Sequence, residues 1–326
     1  MTDQHKGMKA KTIKAVIKKK IAEWVESIED EKVRTLVATN TIVTGGSIAS
    51  MLLGEKVNDF DIYFRNKETV KAVAEYYTKR FSPKDRRGIA CKIYVDDTER
   101  DSTNEGRVKI VIKSAGIASE DGTETEYRYF EARPEDEAAG YVGEVMQDLG
   151  DIQDVYEETE AASLETEDDG KPKYRPVFMS TNAITLSHRI QLILRFYGEP
   201  DEIHQNYDFV HCTNYWESKT GTLLLRPEAL ETLLAKELRY VGSKYPICSI
   251  IRLRKFIRRG WTINAGQILK MAWQISELNL SDIDVMEDQL TGVDVAYFIQ
   301  LVDSLRQKDP QKVNAAYLIE IIDRMF

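Results

Sequence analysis

Residues 41–64 read Thr-Ile-Val-Thr-Gly-Gly-Ser-Ile-Ala-Ser-Met-Leu-Leu-Gly-Glu-Lys-Val-Asn-Asp-Phe-Asp-Ile-Tyr-Phe. An apolar strand over 42–44 runs into the paired glycines Gly45 and Gly46 and then Ser47. The composition of 48–53 predicts a short helix, and a second strand opens with Asp59 and Asp61. Strand side chains alternate faces, so residues two apart point the same way. Two carboxylates placed so can hold a Mg²⁺ ion that also carries substrate phosphates. Glycine lets backbone N–H groups approach a triphosphate closely, and the N-terminus of the next helix favours its negative charge. Ser47 either gives its hydroxyl to a phosphate oxygen, caps the helix beginning at Ile48, or does both. Thr44 and Asn58 read as structural.

Gly45-Gly46-Ser47, a short helix, then Asp59-x-Asp61 on a strand resembles the signature of the DNA polymerase β-like nucleotidyltransferases. That superfamily includes CCA-adding enzymes, poly(A) polymerases, antibiotic adenylyltransferases and small toxin–antitoxin transferases. The resemblance covers residues 40–64; the remainder looks like nucleotidyltransferase-like proteins of tailed phages. It implies an α+β fold, a polymerase β-like palm made of a mixed sheet with flanking helices, followed by an α-helical C-terminal region. It also implies transfer of a nucleoside monophosphate from an NTP to a hydroxyl acceptor. Asp59 and Asp61 then hold Mg²⁺, with Mn²⁺ as an alternative, and Gly45, Gly46 and Ser47 cradle the phosphates.

Two-metal transfer normally uses a third carboxylate near one ion. Asp208 is the first choice, in a segment where a helix gives way to a strand; Asp97 and Glu131 are rivals. Asp208 reads equally well as a turn or helix-end residue. Some relatives work with the Asp-x-Asp pair alone, so a missing third acid does not refute the activity.

The chain has 326 residues and a formal net charge of −9, enough length for two modest domains. The boundaries read as 1–225 for the palm, with an acidic insertion around 117–173, and 226–326 for a helical domain. Residues 117–170 hold 19 acids against Arg128 and Arg133, which leaves 35 acids and 43 bases elsewhere. Charge this segregated points to an acidic insert on a basic body, and a basic body suits phosphates and nucleic acid. No apolar run reaches the length of a membrane span. Cys91, Cys212 and Cys248 lack metal-ligand spacing and read as reduced thiols of a cytoplasm, the host cytoplasm if the chain is phage-encoded.

Apolar residues at 13, 16, 17, 21, 24, 25 and 28 predict an N-terminal amphipathic helix, preceded and flanked by the seven lysines of residues 6–20. A helix over 30–38 and another over 67–80 follow. Strands are predicted over 90–95, 108–113 and 127–132 as a meander, and residues 134–164 read as acidic and partly helical. Strands are then expected over 183–186, 190–196, 209–216 and 222–225, although 187–196 also fits a helix. Helices are expected over 227–240, 247–259, 264–278, 293–306 and 312–325.

Residues 236–273 carry nine bases against Glu237 alone. On a helix Arg252, Lys255 and Arg259 share a face. Arg252 and Lys255 are candidate nucleotide or RNA contacts, and Trp261 a candidate base-stacking platform. The bland alternative is that these cations pair with the acidic segment. His188, His204 and His211 read as ordinary polar histidines, since no ligand set completes a zinc site. The functional expectation is NTP-dependent transfer, with an RNA or tRNA 3′ end as the favoured acceptor. The alternatives are a catalytically inactive binding module whose acidic segment mimics nucleic acid, and a toxin-like protein adenylyltransferase.

Overall fold

The computed structural model describes residues 7–81, 91–98, 106–114, 173–179 and 182–280, together with 282, 285 and 289. The chain divides into two compact units, Met1–Ile203 with Asn214–Leu224, and His204–Thr213 with Leu225–Phe326. The expected strand over 127–132 and helices over 134–164, 293–306 and 312–325 lie outside the described residues.

The first unit opens with α1 (Ala10–Ser27), whose Ile13, Ile17, Ile21 and Trp24 are buried at helical spacing. Helix α2 (Glu31–Asn40) is capped by Asp30, whose carboxylate accepts from the Lys32 and Val33 N–H groups. Then come β1 (Thr41–Thr44), α3 (Gly46–Leu53), β2 (Phe60–Phe64) and α4 (Lys67–Thr78), the last capped by Asn66. A hairpin of β3 (Cys91–Asp96) and β4 (Lys109–Ser114) forms a separate antiparallel ribbon. Strands β5 (Pro176–Met179), β6 (Ala183–Leu186), β7 (Ile190–Tyr197), β8 (Tyr215–Glu217) and β9 (Leu223–Leu224) complete the unit. Its main sheet has the order β5-β6-β7-β2-β1-β8-β9 and is mixed: β2 and β7 run parallel, the other pairs antiparallel.

Register fixes which residues share a face. Val43 lies opposite Ile62 and Trp216, while Thr44 lies opposite Asp61 and Tyr215. Directly opposed residues point to the same side, so these two sets occupy opposite faces. The first face continues through Ile184, Leu186, Ile190, Leu192 and Leu194, all fully buried. Helix α4 packs on β2 and β7, and Trp24 meets Phe64 with ring centroids 6.4 Å apart. The Trp24 indole N–H donates to the buried Tyr77 hydroxyl over 2.9 Å, and that burial pushes the phenol well above its usual range. On the other face Gln191 and Asp61 stand side by side and both are half-buried. Arg65, with a side chain only 9% exposed, bridges Glu199 and Glu217 beyond the end of β2.

The second unit contains a 3₁₀ turn (Val210–Cys212), α6 (Pro227–Ala235), β10 (Glu237–Leu238), α7 (Pro246–Arg258), β11 (Thr262–Ile263) and α8 (Ala265–Ser276). A short helix, α5 (Pro200–His204), runs up to it. Strands β10 and β11 pair in parallel. Proline opens both α6 and α7, where its missing N–H costs nothing. The strand expected over 209–216 forms only at its end, where Tyr215 and Trp216 open β8. Asp208, Phe209, Val210 and His211 are all buried, and the chain coils there because its hydrogen bonds close locally, from the Cys212 N–H to the Phe209 carbonyl and from the Thr213 N–H to the Val210 carbonyl. The alternative of a helix over 187–196 is also overturned, since Ile190–Tyr197 pairs on both edges. No helix among the described residues is long and apolar enough to cross a membrane.

Trp24 carries both a ring contact and the hydrogen bond to Tyr77, so Trp24→Ala is expected to cost about 3–5 kcal/mol of unfolding free energy. Urea denaturation followed by circular dichroism reads this as a lower midpoint at unchanged slope. A loss below about 1 kcal/mol would show that α1 is not part of the cooperative core.

Candidate nucleotide site

Strand β1 ends at Thr44, and the chain leaves it through Gly45 at φ 90° and ψ −152°. Only glycine occupies that backbone region without serious strain. Gly46 then begins α3, and a Cβ added there meets nothing within 4 Å. Gly46 therefore faces open space, while Gly45 is buried behind it. Because the helix begins at Gly46 and not at Ile48, Ser47 lies within its first turn and does not cap it. Ser47 is 2% exposed, and its Oγ has no hydrogen-bond partner among the described residues. A buried hydroxyl left unsatisfied costs roughly 1–3 kcal/mol, so this one marks a position where a partner is missing.

The register places Asp61 directly across from Thr44, one residue from the glycine turn. Asp59 sits just before β2, outside the ladder. Exposure alternates along the stretch: Asp59 and Asp61 are half-buried, whereas Phe60 and Ile62 are buried. The hydroxyl of Thr44 donates to the Asn214 carbonyl over 2.9 Å and so belongs to the scaffold. Asp61 has Thr44 and Gln191 as its ladder neighbours, neither of them acidic. Among the described residues no group of three or more His, Cys, Asp or Glu side chains is arranged to hold a metal ion.

The three candidates for a third acid fall in different places. Asp97, beyond β3, is held by Lys71 at 3.0 Å and Lys67 at 3.7 Å. Its hydrogen bond with Lys71 holds the carboxyl below the usual range. Glu131 lies outside the described residues. Asp208 belongs to the second unit, where its side chain is buried and paired with Arg252 of α7. Asp208 and Arg252, expected to serve metal and nucleotide respectively, are thus each other's partners. Lys255, three residues along the same helix, is exposed.

Two aromatic expectations in the second unit are corrected. Trp261 is only 4% exposed and cannot offer a face to a base. Its ring lies 4.3 Å from that of His211, which also stands edge-on to Phe256 at 4.7 Å. His211 is therefore a core residue and not a polar one at the core edge. Burial, reinforced by the charge of Arg259, depresses its imidazole from 6.5 to about 3. Sequence reading missed Gln191, the neighbour of Asp61 on β7, and Tyr215, which lies across from Thr44 on the other side of β1. They arrive through the Thr44–Tyr215 and Asp61–Gln191 pairings, between residues more than a hundred positions apart, for which no local signal exists.

A family model described as Gabija anti-defense 2 family protein matches residues 15–236, and the chain belongs to that family. A curated relative, "Gabija anti-defense 2" of Bacillus phage SPbetaL7, is 20% identical over 123 residues, 37% of this chain and 31% of the relative. The match thus spans about a third of that relative's length. Among solved structures, the Thermotoga maritima CCA-adding enzyme complexed with tRNA aligns with a TM-score of 0.34 at 13% identity, covering 79% of this chain and 45% of that one. The Bacillus stearothermophilus CCA-adding enzyme in complex with CTP aligns with a TM-score of 0.35 at 12% identity, covering 83% and 48%.

The buried His211 yields a pH dependence. Folded, its imidazole stays neutral down to about pH 3; unfolded, it takes a proton near its ordinary 6.5. The unfolded chain thus binds the extra proton between those values, and stability falls as pH drops below about 6.5, by up to ~1.4 kcal/mol per pH unit. In urea unfolding of the second unit between pH 7 and 4, His211→Phe is expected to flatten this slope. A slope unchanged by the substitution would place its origin elsewhere.

Proposed function

We propose that this member of the Gabija anti-defense 2 family is a nucleotidyltransferase, which moves a nucleoside monophosphate from an NTP to a hydroxyl acceptor with release of pyrophosphate. The observation that carries the reading is the buried, unpartnered Ser47 hydroxyl at an open glycine turn, with Asp61 one ladder position away. Gly45 and Gly46 keep side chains out of the turn, and the first N–H groups of α3 point to where phosphates would lie. Ser47 donates its hydroxyl to a phosphate oxygen, which satisfies the missing hydrogen bond.

The donor set fits a hard divalent cation. Asp59 and Asp61 would hold Mg²⁺ or Mn²⁺, an ion that accepts one or two protein carboxylates and leaves its remaining positions to water and substrate phosphates. When bound, the ion neutralises the charge that develops on the departing pyrophosphate. The protein's own share is placement: the rigid β1–β2 ladder keeps the carboxylates and the phosphate turn in fixed register, so little reorganisation is needed during transfer. A two-carboxylate set is sufficient in this reading, with Asp208 serving the second unit through Arg252. An RNA 3′ end is the favoured acceptor, because Arg254, Lys255, Arg258 and Arg259 all lie exposed along α7 and just beyond it.

A second reading has its own support. The described residues hold no third metal-binding acid beside Asp59 and Asp61, which suits a binding module that acts against the defence named in the family description without catalysis.

Incubation with labelled NTPs, Mg²⁺ and total RNA separates the two. Asp59→Asn and Asp61→Asn are each expected to lower incorporation by at least about a thousandfold. Asp208→Asn should retain activity under conditions where the second unit stays folded. Gly46→Ala should keep the melting temperature, since its methyl meets open space, yet reduce incorporation by filling the phosphate approach. Label in protein instead of RNA identifies a protein hydroxyl as acceptor. No incorporation with any acceptor, together with intact protection of phage from Gabija in the Asp59→Asn and Asp61→Asn variants, contradicts the enzyme and supports the binding module.

A further inference from the structure

Three of the four non-glycine residues with left-handed backbone among the described residues gather in one place: Tyr174 (φ 58°), His188 (φ 64°) and Arg189 (φ 62°). That conformation is strained for any residue carrying a Cβ, and such strain collects at ligand sites. His188 and Arg189 lie in the turn joining β6 to β7, where glycine or asparagine would sit with less strain. The chain places an imidazole and a guanidinium there instead.

Other cations converge on the same turn. The Tyr174 ring lies 5.2 Å from that of His188. Lys20 of α1 holds its Nζ 5.5 Å from the Tyr174 ring and 5.8 Å from the Phe60 ring. Lys173 and Arg175 flank Tyr174 in sequence. Burial, with Arg189 and Lys173 adding and Glu23 opposing, holds the Lys20 ammonium below its usual range. Burial, then the charges of Lys20, Lys173 and Arg175, likewise depresses His188. The His188 Nε2 is buried and has no hydrogen-bond partner among the described residues. Glu23, whose carboxylate accepts from the Tyr174 hydroxyl over 3.1 Å, offsets part of the repulsion among these cations, and a bound anion removes more of it.

We propose that Lys20, His188 and Arg189, with Lys173 and Arg175, form a binding site for a phosphate group, carried either by a nucleic-acid strand or by a free nucleotide. A guanidinium matches phosphate in a bidentate way, and the half-buried His188 ring, backed by the buried Tyr174 ring, offers a surface against which a base can stack. The site is tied to the segment that delivers Asp59: the Arg189 guanidinium donates to the Val57 carbonyl, and its own carbonyl accepts from the Phe60 N–H. Binding here is independent of nucleotidyl transfer and stands whether or not that reaction occurs.

The test uses the full chain, a fluorescein-labelled single-stranded oligouridine and, separately, ATP, titrated over a range of NaCl concentrations. Arg189→Gly relieves the local backbone but gives up the hydrogen bond to the Val57 carbonyl, so its fold is checked by its melting temperature, and Lys173→Ala alters an exposed side chain and serves as the second variant. Each variant is expected to weaken binding about tenfold and to reduce the slope of log Kd against log salt by about one. Loss in the oligouridine arm alone identifies a strand as the ligand, and loss in the ATP arm alone a nucleotide; either supports the site. Affinities for both ligands unchanged in both variants would overturn it, as would a wild-type chain that binds neither.

Discussion

The antiparallel ladder between β1 and β2, with Thr44 set against Asp61, is the constraint on which the candidate site rests. A slip of one residue would turn the aspartates into the apolar face and Ile62 out of it. That error is heavily penalised, because Val43, Ile62, Leu192 and Trp216 are all buried on the helix-covered side. The hydrophobic core therefore does more than stabilise the unit. It holds two carboxylates and a glycine turn in fixed relation at one end of the sheet, without any need for those polar groups to attract one another.

Charge in the second unit is used differently. The arginine-rich stretch of α7 looks like a surface for polyanions, but Arg252 is consumed by the buried Asp208. Removing Arg252 leaves the Asp208 carboxylate, whose side chain is 4% exposed, without that countercharge in a poorly solvated place, which makes this pair a matter of folding more than of recognition. Trp261 and Phe256 are likewise committed to enclosing His211. Arg254, Lys255 and Arg258 of α7 lie exposed.

Much of the architecture is readable from local pattern. The spacing of Ile13, Ile17, Ile21 and Trp24 gives α1, and Asp30, Asn66 and Asn264 mark three helix starts as caps. Gly45, Gly46, Asp59 and Asp61 stand out because their types and order are chemically demanding. Less was legible where distant contacts decide. Residues 209–216 have the composition of a strand, yet local hydrogen bonds wind Val210–Cys212 into a 3₁₀ turn and only Tyr215 and Trp216 join the sheet. The fate of Asp208 depends on an arginine 44 positions away. The left-handed backbone at His188 and Arg189 carries no glycine or asparagine to announce it. The unsatisfied Ser47 oxygen is invisible until its surroundings are in place.

The central claim is that Asp59 and Asp61 and the glycine turn jointly grip a metal-bound nucleotide. Electron paramagnetic resonance of Mn²⁺, titrated with and without a non-hydrolysable NTP analogue, addresses it most directly. The account requires Mn²⁺ uptake that strengthens when nucleotide is present and disappears when both aspartates are changed to asparagine. Equal uptake by that double variant, or none by the wild-type chain with nucleotide, would contradict it.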